Sequence, residues 1–280
     1  MTQARFCPAK FGDRQPDNSR AGAPLDAVRL WSFKSVRVTS DSGVRGTAAG
    51  PADGRKMRSG VRAGAGIMPG VSDDLWWAMP VLAGRLIRLE PLALEHAPGY
   101  LTAAGTGEAA AEVFRWLSPP GGALAQPVTL EDATRHIAAA LEARDRGARL
   151  PYAQIDTATG EFAGTTSFYE VNPALRALGI GHTWLGQRWW RTGHNTESKL
   201  LMMTFAFETL GAVRVVWHTD IFNTRSQAAI ERLGAACEGV LRKHRRRYDG
   251  SWRDTVQYAM VDDDWRSAKA ALAARLGLTP

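Results

Sequence analysis

The chain has 280 residues, of which 45% are hydrophobic and ten are tryptophan, enough apolar side chain for at least one folded core and too much for a wholly disordered protein. Its formal net charge of +7 is uneven: residues 1–78 carry 12 basic against 7 acidic side chains, and residues 79–280 carry 23 against 21. The excess sits on the leading arm, so nucleic-acid binding is not expected of the part that reads as folded.

Residues 1–78 are rich in Gly, Ser, Arg, Asp and Pro and have neither helical nor strand periodicity. Such a segment buries too little surface to offset its ordering entropy, which predicts a disordered leader, either an upstream extension from a misassigned start or a basic recruiting tail. One domain is expected over 79–280. Its opening, MPVLAGRLIRLEPL, reads as a strand centred on Arg85–Leu89, followed by a short helix over Leu94–Ala104. Thr129 and Asp132 form a capping-box pattern ahead of a long helix, with Leu130, Ala133, Ile137, Ala140 and Leu141 at helical spacing and Gly147 marking its end. Strands follow at Tyr152–Ile155 and Phe162–Tyr169, joined by a hairpin loop at 156–160, and a third runs over Leu178–Leu185.

The stretch HTWLGQRWWRTGHNTESKLL then passes from a β-rich run through the polar loop 191–195 into an apolar run, Leu200–Phe207, too continuous for a surface helix. Asn195 and Thr196 are expected caps, with Glu197 in the first turn. Free N–H groups at such a helix start bind anions. A strand over Arg214–Thr219, a helix after Asn223, a strand including 253–255 and a helix from the Asp262–Asp264 cluster to about Leu276 complete the domain. The basic run 242–247 reads as a solvated strand end or an anion patch.

In order, the loop with Gly193 before the helix, then Asn223, Ser226 and Leu233–Gly234–Ala235, then Glu238–Arg242 and Arg253–Thr255, resemble the GNAT superfamily of acyl-CoA-dependent N-acyltransferases. The resemblance covers roughly residues 80–276, and its best match is the branch of ribosomal-protein N-terminal acetyltransferases. It implies an α/β fold with a mixed, mostly antiparallel sheet splayed at the centre and flanked by helices. The splaying strands are Leu178–Leu185 and Arg214–Thr219, and the acyl-pantetheine arm of acetyl-CoA lies between them, its amides pairing with backbone that would otherwise be unsatisfied. A bulge near Thr183 and Trp184 would aim an N–H at the thioester oxygen. Expected cofactor contacts are Thr183, Trp184, Leu185, Arg191, Thr192, Gly193, His194, Asn195, Thr196, Asn223 and Ser226, with Arg188 and Arg225 as further phosphate candidates and Trp184, Trp189 and Trp190 as pocket walls.

The implied chemistry is direct attack of a neutral amine on the thioester in a ternary complex. Consistently, the chain holds no G-x-S-x-G elbow. Candidate proton acceptors are Glu170, His182, His218 and Asp220, and Ser226 is the candidate donor to the departing thiolate. The acceptor is expected to be a protein N-terminal α-amine or a small-molecule amine; a non-catalytic acyl-CoA sensor and a nucleic-acid-binding role resting on the basic arm and the 242–247 run are the other readings. Cys7 and Cys237 match no metal spacing, so no metal is expected. With no apolar run of 18 residues and no signal-like opening, a cytoplasmic, non-membrane protein is expected, as monomer or homodimer.

Overall fold

The computed structural model describes residues 72–117, 126–247 and 249–278. Most of the expected leader, residues 1–71, lies outside them. Its last part does not behave as expected: Ser72 caps a five-residue helix, α1 (Asp73–Trp77), and Trp76 is buried in the core at 3% exposure. Tryptophan brings enough apolar surface to anchor even so short a helix.

Among the described residues eight strands form one sheet: β1 (Leu82–Ala83), β2 (Ile87–Pro91), β3 (Arg149–Asp156), β4 (Phe162–Asn172), β5 (Ala177–Leu185), β6 (Arg214–Asp220), β7 (Ala236–Arg246) and β8 (Trp252–Val261). Their spatial order is β1-β2-β3-β4-β5-β6-β8-β7, antiparallel throughout except for the parallel pair β5–β6 at the centre. The expected mixed, mostly antiparallel sheet is therefore present. Two antiparallel halves meet at that single parallel seam.

Helices α2 (Ala97–Ala104), α3 (Gly107–Phe114) and α4 (Leu130–Asp145) pack over β3–β5 on one face. There Tyr100 of α2 meets Trp184 of β5 edge-on at 4.8 Å between ring centroids. The capping box of α4 forms as the spacing predicts: Thr129 Oγ1 accepts from Asp132 N at 3.1 Å, and Asp132 Oδ2 accepts from Thr129 N at 3.0 Å. On the other face lie α5 (His194–Thr204), α6 (Thr224–Glu231) and α7 (Asp262–Arg275). Phe205, where α5 widens into a π-turn over Phe205–Thr209, sits 6.1 Å from Phe168 of β4. Helix α5 lies between the sheet and α7, which explains its near-continuous burial, Lys199 and Glu197 included. Among the described residues no helix is long and apolar enough to cross a membrane.

Candidate active site

The parallel pairing of β5 and β6 extends only over Ala177–Arg214, Leu178–Val215 and Gly179–Val216. Beyond those three rungs each strand stays with its other neighbour: β5 with β4 as far as Leu185, β6 with β8 as far as Asp220. The two strands thus part company, and the facing edges of residues 180–185 and 217–220 carry no ladder between them. The β4–β5 register also slips at this point. Ser167 pairs with Gly181 and Thr165 with Trp184, so His182 and Thr183 together oppose Thr166. His182 takes the left-handed conformation at φ 49°, the signature of a bulge. The expected bulge therefore centres on His182–Thr183, directly on the splayed edge.

Beneath the bulge lies a lysine that sequence reasoning missed. Lys199 Nζ, 4% exposed as a residue, donates to Thr166 Oγ1 at 2.7 Å and Thr183 Oγ1 at 2.9 Å. Burial pushes its pKa down to about 7. A charged residue inside the pattern HNTESKLL reads as solvated surface, so nothing in the sequence signals this.

Next in the chain, Gly193 precedes α5 at φ 92°, a conformation that favours glycine. A Cβ there would meet Leu86 Cδ1 at 3.0 Å and Leu276 Cδ2 at 3.5 Å, so both backbone conformation and packing favour glycine at this position. Glu197 N–H makes the first helical bond, to Gly193 O at 2.9 Å. The N–H groups of His194, Asn195 and Thr196 consequently have no helical acceptor and converge at the positive end of the helix. Asn195 and Thr196 are thus first-turn residues; Gly193 holds the cap position, without a side-chain bond.

Two of the expected loop contacts turn inward. His194 is buried, with Nε2 3.0 Å from Asp156 Oδ2 and Nδ1 2.7 Å from Thr192 Oγ1, while Thr192 Oγ1 donates to Trp189 O at 2.6 Å. Trp189 Nε1 donates to the same Asp156 oxygen at 2.9 Å. Burial raises the Asp156 carboxyl, but hydrogen bonds from Trp189, Thr159, His194 and Ala158 outweigh it and hold the pKa at about 2. His194 and Thr192 can therefore offer a ligand their backbone only. Arg188 is bound to Glu161 and stacks on Trp189, and Arg225 pairs with Glu112 at 3.3 Å and stacks on Trp190 at 4.1 Å. Arg191 differs: it is exposed, at φ 61°. Trp184 packs among Tyr100, Phe114 and Phe162 as core, not as a pocket wall. The 610 Å³ cavity beside α2 is lined by Glu90, Glu95, Glu161 and Arg188, and no residue of the splayed edges is among its lining residues.

On the face opposite α5, Tyr169 lies flat over Gly179 and Gly181, where a Cβ would come within 2.6 and 2.8 Å of its ring. Its hydroxyl is 3.0 Å from His218 Nδ1, and His218 Nε2 is 3.2 Å from Gln257 Oε1. Since an amide oxygen only accepts, Nε2 carries the proton and Nδ1 accepts from Tyr169. Glu170 occupies a second bulge, at φ 50°, half exposed, 4.0 Å from His218 Nδ1 and 3.5 Å from Arg245. His182 is held down to about 3, first by burial and then by the guanidinium groups of Arg149, Arg245 and Arg253.

Asp220 is placed differently from its expected role. Arg247 donates to Oδ2 at 2.6 Å and to Oδ1 at 3.0 Å, and Phe222 N–H donates to Oδ1 at 3.0 Å. With both oxygens engaged, it anchors the start of α6 and the end of β7 and is removed from the proton acceptors. Asn223 caps α6, its Oδ1 accepting from Ser226 N at 3.0 Å. That leaves the Asn223 amide nitrogen and the Ser226 hydroxyl as the groups with hydrogen-bonding capacity to spare.

The profile of the Acetyltransferase (GNAT) domain family matches residues 86–236. The chain belongs to the GNAT acetyltransferase family. GNAT enzymes are acetyl-CoA-dependent N-acetyltransferases, and the splayed β5–β6 seam fits that co-substrate: it offers unpaired strand edges beside a helix start with three free N–H groups. Among curated proteins, YdaF of Bacillus subtilis (strain 168), named for ribosomal N-acetylation, is 28% identical over 110 residues. That match spans 39% of this chain and only 59% of YdaF. A crystal structure described as an acetyltransferase from T. thermophilus is 39% identical, covers 71% of this chain and 99% of its own, and superposes with a TM-score of 0.62. Mycobacterium smegmatis RimJ in complex with CoA-disulfide has the same GNAT fold at 21% identity, with a TM-score of 0.58 over 71% of this chain and 92% of its own.

Proposed function

We propose that this GNAT enzyme acetylates the α-amine at the N-terminus of a protein, by direct attack on acetyl-CoA bound between β5 and β6. The observation that carries the reading is the loss of β5–β6 pairing beyond Gly179 and Val216, at the point where the His182–Thr183 bulge and the start of α5 converge. In this reading the backbone of Thr183, Trp184 and Leu185 pairs with the pantetheine amides. The N–H groups over 191–196 take the pyrophosphate, with Arg191 and the Asn223 amide as side-chain contacts. Glu170, half exposed at the second bulge, accepts the amine proton directly or through water, and Ser226 donates to the leaving thiolate. The branch resemblance and the name of YdaF support a protein acceptor in the cytoplasm.

The test is a thiol-release assay on a panel of peptides with free N-termini, small amines and amino acids, with product mass read for a 42 Da increment, the mass of an added acetyl group. Turnover of peptides that disappears when the α-amine is blocked is the expected result. Turnover of small amines alone would move the acceptor to that class, and acetyl-CoA binding with no turnover of anything would make the protein a sensor.

A further inference from the structure

Arg149 on β3, opposite Tyr169, and Arg245 and Arg253, opposite each other on β7 and β8, all bring positive charge to bear on His182, and their counter-charges do not add up. Arg245 has Glu170, at 3.5 Å. Arg253 is 8% exposed; its Nε has no hydrogen-bond partner, and its nearest carboxylate oxygen, Asp220 Oδ2 at 4.0 Å, already accepts from Arg247. Arg149 spends its Nε on Ser167 Oγ at 2.7 Å and makes no ion pair among the described residues. Burial lowers the pKa of both, Arg149 to about 10. The histidines here, His182, His218 and His244, are pushed down by burial and by these guanidinium groups, so they add no charge and supply no anion. Thr255, facing the same side of β8 as Arg253, has a buried hydroxyl likewise without a partner.

A buried guanidinium without a full carboxylate partner is costly, and a ligand carboxylate would complete the pair through charge-assisted hydrogen bonds. An ordinary ammonium approaching this pocket would also be repelled by Arg149, which has no ion pair among the described residues, and by Arg253, which shares Asp220 with Arg247. A carboxylate carried by the acceptor a few bonds from its amine removes both problems and orients the nitrogen toward the bulge. We infer that Arg149 and Arg253 form an anion subsite that selects amine acceptors bearing a carboxylate close to the reacting nitrogen. The inference deepens the proposed function: within N-terminal peptides, the carboxylate belongs to an Asp or Glu at the first or second position. A free amino acid would present the same group as its α-carboxylate.

The experiment uses the full-length enzyme and paired acceptors: tetrapeptide amides with Asp or Asn at position two, and aspartate or glutamate against their fully amidated forms. For each, kcat/KM and the binding affinity in the presence of CoA are measured. Acidic acceptors should be preferred by about 30-fold, the worth of a desolvated charge pair. Arg253→Gln and Arg149→Gln should collapse that ratio through KM, and Arg253→Lys should restore part of it. Both Gln variants should melt at the same temperature as the wild type or higher, because removing an unpaired buried charge relieves strain; a purely structural role predicts lower melting instead. Preference for free acidic amino acids over all peptides would keep the subsite and overturn the protein-acceptor reading. Tight, arginine-dependent binding of acidic acceptors without turnover would keep the subsite and overturn the catalytic reading. Equal binding and turnover of acidic and neutral acceptors would overturn the subsite itself.

Discussion

Glu197 Oε2 lies 2.6 Å from the backbone nitrogen of Leu86, across 111 residues of sequence. The same carboxylate accepts from Ile87 N at 2.9 Å and, through Oε1, from Arg85 N at 3.0 Å, so one side chain in the first turn of α5 satisfies the whole β1–β2 turn. Gly84 permits the approach, since a Cβ there would stand 2.5 Å from Glu197 Oε2. Glu197→Gln replaces an acceptor oxygen by a donor aimed at N–H groups. A loss of about 2–4 kcal/mol in urea unfolding is expected. Gly84→Ala should cost a comparable amount, and a double variant should cost less than the two single losses together, because both break one contact.

Asp156 gives the cofactor loop an acid-sensitive tether. Its carboxyl, at about 2 when folded against 3.8 in a model peptide, stabilises the fold fully above pH 3.8, and that stability is lost as pH falls toward 2. The contribution is about 2 kcal/mol. Unfolding midpoints measured from pH 5 downward should fall faster for the wild type than for Asp156→Asn. The variant should also bind acetyl-CoA more weakly at neutral pH, because Trp189 and His194 lose the group that positions the loop.

Lys199 has the opposite sign. Its folded pKa of about 7 lies below the 10.5 of a free lysine, so between those values the unfolded chain holds a proton that the folded chain has released. Wild-type stability should therefore rise with pH across that window and be lowest below it. Lys199→Met removes the dependence, and at pH 6 the variant should be more stable than the wild type by at least about 1–2 kcal/mol, the cost of burying an ammonium without a carboxylate. Thr166 and Thr183 keep their mutual bond of 2.8 Å. Melting curves of both proteins at pH 6 and pH 9 check the crossing.

Glu170 and Asp220 separate by mechanism. Glu170→Gln should lower kcat about 100-fold or more at unchanged acetyl-CoA affinity, the usual loss of a proton acceptor. Asp220→Asn leaves Arg247 without its anion and should cost about 2–4 kcal/mol in stability, with kcat reduced far less. Parallel steady-state kinetics and urea titrations distinguish the two, and a large kcat loss confined to Asp220→Asn would reverse the assignment.

The architecture was legible wherever local chemistry carried the signal. The Thr129–Asp132 box, the Gly193 turn and the strands from Tyr152 to Thr219 each announce themselves within a few residues. Helix α3 did not, because Thr106 makes no side-chain cap and GEAAAEVF is short. Helix α1 was hidden at the end of a polar arm. What escaped at the site were charges whose meaning depends on partners far away in sequence: Lys199 with Thr166, Asp156 with His194, Arg247 with Asp220. A lone Lys, Asp or Arg looks solvated until tertiary structure buries it. The aspartate that looked available as a base was engaged for the same reason.

Backbone hydrogen–deuterium exchange with and without acetyl-CoA tests the central claim most directly. Strand edges paired by pantetheine and helix-start N–H groups occupied by pyrophosphate exchange slowly, so protection should appear over residues 180–185 and 191–196. Unchanged exchange in both segments, with acetyl-CoA bound and protection elsewhere, would contradict the account.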